Sequence, residues 1–223
     1  MAIPPMDSGY ATRLRNGYRT GRDSVGRRYG DLRATTWGRA IIDRARVVLG
    51  LVGIMWVVEV IDTVVLGRSL NAVGIHPRDI GHAWQVPLAP FLHGDFRHLL
   101  SNTGPLLWLG AMVSVWGVGE FLLVTGAITV LGGAGTWLIG RDAVHQGGSL
   151  LALGFFGYLV ARGAVERRVI AVALAILTVY WYGYAAWSVL PGVPRVSWES
   201  HLSGMLAGAA MGYLRARASR TRA

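Results

Sequence analysis

The sequence predicts an all-α membrane protein with six transmembrane helices, and three observations carry that expectation. Hydrophobic residues make up 52% of the 223 and charged residues only 15%, where a soluble domain has about a quarter charged. Six apolar runs use up most of the chain beyond residue 45. At about 20 residues per crossing, this length allows one such domain and little more. The 22 basic residues, all Arg, outnumber the 12 acidic ones and lie mostly near the chain ends or beside apolar runs, a pattern that suits a membrane better than DNA.

The run from Met1 to Arg46 holds ten Arg, is rich in Gly and Ser, and has no sustained apolar period. Residues 1–45 are therefore expected to be a disordered tail that meets anionic lipid, at about 1 kcal/mol per well-placed charge; no nucleic-acid partner is expected. The folded domain is expected over 46–215, with a short basic tail over 216–223. Its first apolar run, Val47 to Leu66, starts too late for a signal peptide and reads as an uncleaved first span. Five more follow: Leu99 to Trp116, Phe121 to Ile139, Ser149 to Val160, Val169 to Leu190 and His201 to Leu214. The fourth and sixth fall short of the usual span length, so each draws in flanking residues or starts below the surface, in a cavity. An even number of spans puts both termini on one side. The Arg-rich ends, with Arg162, Arg167 and Arg168 between spans four and five, make that side cytoplasmic.

The absence of Cys removes disulfide frameworks, thiol proteases, Cys-ligated zinc and iron–sulfur clusters. All six His (His76, His82, His93, His98, His145 and His201) fall in outer loops or at the outer ends of spans, so any chemistry belongs near the outer face. In span six, His201, Gly204, Gly208 and Gly212 share one helical face. Small residues at this spacing let a second helix approach closely in lipid; packing explains the glycines but does not call for an ionisable group at the end of the stripe. Span four opens with Gly147-Gly148-Ser149 and continues through Gly154 and Gly157, so it too can be approached closely. A Ser at a helix start is ordinarily a cap, yet beside a His in a dry site it is also a candidate nucleophile. At the start of span two, His98 and Asn102 lie one turn apart. Such a pair either clasps a neighbouring helix or donates hydrogen bonds to a developing oxyanion.

Three ordered blocks then make a specific pattern: Phe91 to Asn102 (FLHGDFRHLLSN), Gly147-Gly148-Ser149, and His201-Leu202-Ser203-Gly204 with Gly208. Over roughly Val47 to Leu214 the chain resembles the rhomboid family of intramembrane serine proteases. Gly74 to Arg78 and Phe156 to Gly163 look like segments of its bacterial, especially actinobacterial-type, members. The resemblance implies a six-span rhomboid-like bundle in a bacterial plasma membrane, with both termini cytoplasmic. It implies Ser149 as nucleophile and His201 as general base and later acid, with no acidic third member. It also implies an oxyanion hole of Asn102, His98 and the Ser149 N–H, a hydrogen-bonding structural role for His93, and no cofactor or metal. Substrates would be transmembrane proteins entering sideways between helices. Pro191-Gly192-Val193-Pro194 resembles a cap over the cavity, and Tyr180, Trp181, Tyr182, Tyr184 and Trp187 would form either a lateral gate or an interfacial belt.

Two positions depart from the family pattern. Leu150 follows Ser149 where Gly is usual, and a branched side chain there is expected to narrow the site or tilt the Ser149 N–H. Leu153 stands where an aromatic ring usually stacks on the catalytic His. These departures keep open a catalytically inactive relative that binds transmembrane segments. A metal-ion or proton-coupled transporter reading rests on Glu59 and Asp62, two acids on one face of span one, together with the outer His residues; Arg68 or Arg97 would be the partner of Glu59. His145 has no assigned role.

Overall fold

The structure is a computed structural model that describes residues 8–192 and 196–221, with side chains from Thr35 onward. Val193 and Pro194 of the expected cap lie outside the described residues. The chain divides after Asp43. Up to that point the backbone is helical from Ser8, inside the stretch read as a tail.

The helices are α1 (Ser8–Val64), α2 (Phe96–Ser114), α3 (Val118–Ala127), α4 (Gly133–Ile139), α5 (Ser149–Glu166), α6 (Val169–Tyr182) and α7 (Trp198–Arg220). A π-helical turn, Ile128–Gly132, joins α3 to α4. Among the described residues there is no strand, only an isolated antiparallel bridge between Ile75 and His145. Four segments are long and apolar enough to cross a membrane: Thr35–Val64, Val118–Ile139, Ser149–Glu166 and Val169–Val189. The α2 and α7 helices carry polar residues at their N-terminal ends, among them His98, Ser101 and Asn102, and Glu199, Ser200 and His201.

The core forms where apolar faces of α1, α2, α3 and α5 meet: Met55, Leu99, Leu106, Val113, Phe121, Ile128, Leu151, Phe155 and Leu159 are buried there. The α5 helix is central and 72% buried. It extends past Val160, where the apolar run ends, to Glu166. The reason is Arg162, expected to mark a cytoplasmic loop but buried in an ionic cluster. Its Nε donates to Glu166 at 2.6 Å, its Nη1 to Glu120 at 2.7 Å, and its guanidinium lies 4.1 Å from the Trp116 ring centre. Arg215 of α7 holds the other Glu120 oxygen at 2.6 Å. Neutralised charge lets the helix continue.

The glycine stripe packs as its spacing implies. A Cβ on Gly204, Gly208 or Gly212 would collide with the carbonyl oxygens of Leu150, Gly154 and Tyr158 respectively. The pairing advances in the same direction along both helices, so α5 and α7 run parallel in backbone contact and start at the same end. Gly132 of the π-turn also comes close to Gly204: a Cβ on Gly132 would lie 3.1 Å from the Gly204 Cα. Ser149 and His201 thus stand at the shared N-terminal end of a tightly packed helix pair.

In α1, Glu59 and Asp62 are both buried. Glu59 accepts a hydrogen bond from Thr63, and Asp62 accepts the Leu70 N–H at 2.9 Å. Neither Arg68 nor Arg97 pairs with Glu59 among the described residues. Both acids thus have local partners that fasten the end of α1 and the turn after it.

Candidate active site

Gly147 has a φ of +126°, a conformation that favours glycine. A Cβ there would lie 2.6 Å from the His98 ring, so glycine is required twice over. The next residue, Gly148, donates its N–H to His93 Nε2 at 3.1 Å, while the Gly147 N–H goes to the Ala89 carbonyl at 3.0 Å. The loop that delivers Ser149 to the first position of α5 is therefore fastened from both sides. His93 is 2% exposed; burial, with His98 adjacent, pushes its imidazole down to about 4, which keeps Nε2 unprotonated and able to accept the Gly148 N–H.

Ser101, Asn102, Ser149 and His201 line two cavities at once. One, about 250 Å³, is walled by Pro105, Leu109, Leu153, Phe156 and Tyr182 and is mainly apolar. The other, about 390 Å³, is more polar and is bordered by His98, Arg141, His145, Gln146 and Ser197. Asn102 is buried, and its side-chain Nδ2 has no hydrogen-bond partner among the described residues. An unpaired buried donor costs about 1–3 kcal/mol, and this one borders the cavities that Ser149 and His201 also line. The Ser149 N–H belongs to the first turn of α5, where a helix leaves N–H groups free of internal partners. The N-termini of α5 and α7 lie side by side here, and their dipoles favour negative charge.

The tautomer of His201 follows from its neighbours. Ser188 Oγ lies 2.6 Å from the Ala185 carbonyl, to which it donates, and 2.7 Å from His201 Nδ1. The Ser188 carbonyl lies 3.2 Å from the same nitrogen. A carbonyl can only accept, so Nδ1 carries the proton, and the Nε2 lone pair has no partner among the described residues. No direct hydrogen bond joins Ser149 Oγ to His201 among the described residues. The two groups border the same cavities.

Leu150 borders neither cavity. Its side chain is buried toward Gly132 of the π-turn, with Cδ2 3.5 Å from that glycine's ideal Cβ. The expected narrowing of the site therefore does not occur: the first turn of α5 turns position 150 away from Ser149 and into the helix interface. Leu153, one turn on, lines the apolar cavity.

Sequence reasoning missed Ser188, which no motif marks, and gave no role to His145. His145 Nε2 meets the Arg141 carbonyl at 3.0 Å, and its Nδ1 meets Ser197 Oγ at 2.6 Å. Ser197 caps α7 by accepting the Ser200 N–H. His145 thus ties the loop before Ser149 to the start of the helix that carries His201. His76 and His82 remain outside the site, with ring centres 4.7 Å apart and His82 bonded to Asp79.

The family description "Rhomboid domain" matches residues 81–218. Uncharacterized proteins of Mycobacterium tuberculosis and Mycobacterium bovis are 36% identical over 176 residues, covering 75% of this chain and 73% of theirs. One of Mycobacterium leprae is 33% identical over the same length, covering 69% of its own chain. Apolar helices of membrane-crossing length accompany that match, and this chain belongs to the rhomboid family.

Proposed function

We propose that this protein is an intramembrane serine endopeptidase that cleaves transmembrane proteins with a Ser149–His201 dyad. Six helices would cross a bacterial plasma membrane, with both termini cytoplasmic and the site near the outer face. The observation that carries the reading is the pairing, around shared cavities, of a bare His201 Nε2 and an unpaired Asn102 donor with the hydroxyl of Ser149.

In this mechanism Ser149 Oγ attacks the scissile carbonyl carbon as His201 Nε2 removes its proton. The oxyanion is met by Asn102 Nδ2, the Ser149 N–H and the His98 side chain. Collapse passes the proton from His201 to the leaving amine. A water entering by the polar cavity then hydrolyses the acyl-enzyme, again with His201 as base. The substrate enters through the apolar cavity, between α2 and the end of α6, past the Trp108–Trp181 edge contact. A segment containing Gly, Ala, Ser or Pro suits this route because its helix unwinds readily.

The second reading, a non-cleaving relative that holds transmembrane segments, is supported by Leu153, which lines the apolar cavity where the family pattern has an aromatic ring. Cleavage of a single-span substrate in liposomes separates the two. Wild-type protein should cut, Ser149→Ala and His201→Ala should not, and Asn102→Ala should lower kcat by about 10²–10³-fold. Binding without cutting by wild type, or cutting that survives Ser149→Ala, overturns the dyad.

A further inference from the structure

On the outer surface of the α5–α6 hairpin runs a furrow of about 700 Å³ that belongs to neither cavity of the site. One wall is a single stripe of α5 (Val160, Gly163, Ala164 and Arg167), the other a stripe of α6 from Val172 to Tyr180. At 1.5 Å per residue it is about 12 Å long. Its floor is low because Gly163 lets the helices touch: a Cβ there would run into the Ala171 carbonyl and the Ala175 methyl. The furrow is apolar along its length and cationic at one end, where the hairpin turns through Arg167 and Arg168.

That end is unneutralised. Glu166 is taken by Arg162 and, at 3.6 Å, by Arg168, which leaves Arg167 without an ion pair among the described residues. Arg167 adopts a φ of +58° at the end of α5, a place that ordinarily favours glycine. No side chain caps the first turn of α6 beside it.

We propose that this furrow is a binding site for an anionic phospholipid, with an acyl chain lying between α5 and α6 and the headgroup phosphate on Arg167. The charge selects the occupant: an apolar trough open to lipid accepts any acyl chain, and a free guanidinium at its mouth favours a headgroup with net negative charge.

The test uses the full chain in neutral detergent, with phosphatidylglycerol or phosphatidylcholine of identical acyl chains, read by native mass spectrometry. Phosphatidylglycerol should be retained over phosphatidylcholine. Arg167→Gln should lower its retention about five-fold, the scale of one interfacial charge, while the Arg-rich N-terminal run stays intact as an internal control. Ala164→Phe, at an exposed position, fills the trough without removing charge and should lower retention as well. Equal retention of both lipids, or phosphatidylglycerol retention that neither variant changes, overturns the site. So does a dimer that Ala164→Phe dissociates, because a second copy would then occupy the furrow.

Discussion

At the scale of single residues, the site depends on which nitrogen of each imidazole carries a proton. Ser188 fixes this for His201, since its backbone carbonyl, which can only accept, meets Nδ1. His93 works the other way, receiving the Gly148 N–H on an unprotonated Nε2. Burial holds His93 at about 4 against an ordinary 6.5. The unfolded chain therefore binds a proton between those values that the folded protein does not. The stability His93 contributes is complete above about pH 6.5 and is lost as pH falls toward 4, by about 3 kcal/mol in all. Thermal unfolding of wild-type protein between pH 7 and 4 should show this acid limb, and His93→Gln, which cannot titrate, should flatten it. Parallel pH profiles for the two proteins would remove His93 from the linkage.

At the scale of elements, the geometry of the candidate site is inherited from helix contact. Because α5 and α7 run parallel with glycine against backbone, anything that separates them also separates Ser149 from His201. Gly208→Ala would press a methyl on the Gly154 carbonyl. Overpacking of this kind costs about 1–3 kcal/mol, and a shift of about 1 Å at the reacting groups costs about 10²-fold in rate. Gly126→Ala, whose Cβ would have nothing within 4 Å, should leave unfolding temperature and cleavage unchanged; equal effects of both substitutions would discount the stripe. This contact was legible in the sequence because offsets of 3, 7 and 11 from His201 define a face without coordinates. Gly147 was legible as a member of a motif, but its positive φ against the His98 ring was not. Nor was the direction of Leu150, because position 150 faces Gly132 through a π-turn that no residue pattern announces. Ser188 lies 13 residues before His201, in the 3₁₀ segment Gly183–Val189 that follows α6, and only tertiary packing joins them.

At the scale of the whole molecule, polar chemistry is concentrated at two ends of one central helix. Ser149 begins α5, and Arg162 lies 13 residues later, about 20 Å away at 1.5 Å per residue. A charge count reads Arg162, Arg167 and Arg168 as one basic loop, whereas burial separates them into a structural Arg162 and two surface cations. Glu120 is the hub of the end away from Ser149. It accepts from Tyr158 at 2.6 Å, from Arg162 and from Arg215, joining the start of α3 to α5 and α7. Arg162 also reaches the Tyr158 hydroxyl. Removing one partner of a buried ionic cluster leaves the other uncompensated, at about 3–5 kcal/mol. Glu120→Ala should therefore lower stability by about that amount, read as reduced resistance to denaturant or heat, while Glu120→Gln should retain part of it by still accepting hydrogen bonds. Since the cluster touches neither Ser149 nor His201, the fraction of Glu120→Ala protein that remains folded should cleave at the wild-type rate. Stability unchanged by Glu120→Ala would mean that Arg162 is satisfied without it, and that α5 reaches Glu166 for some other reason.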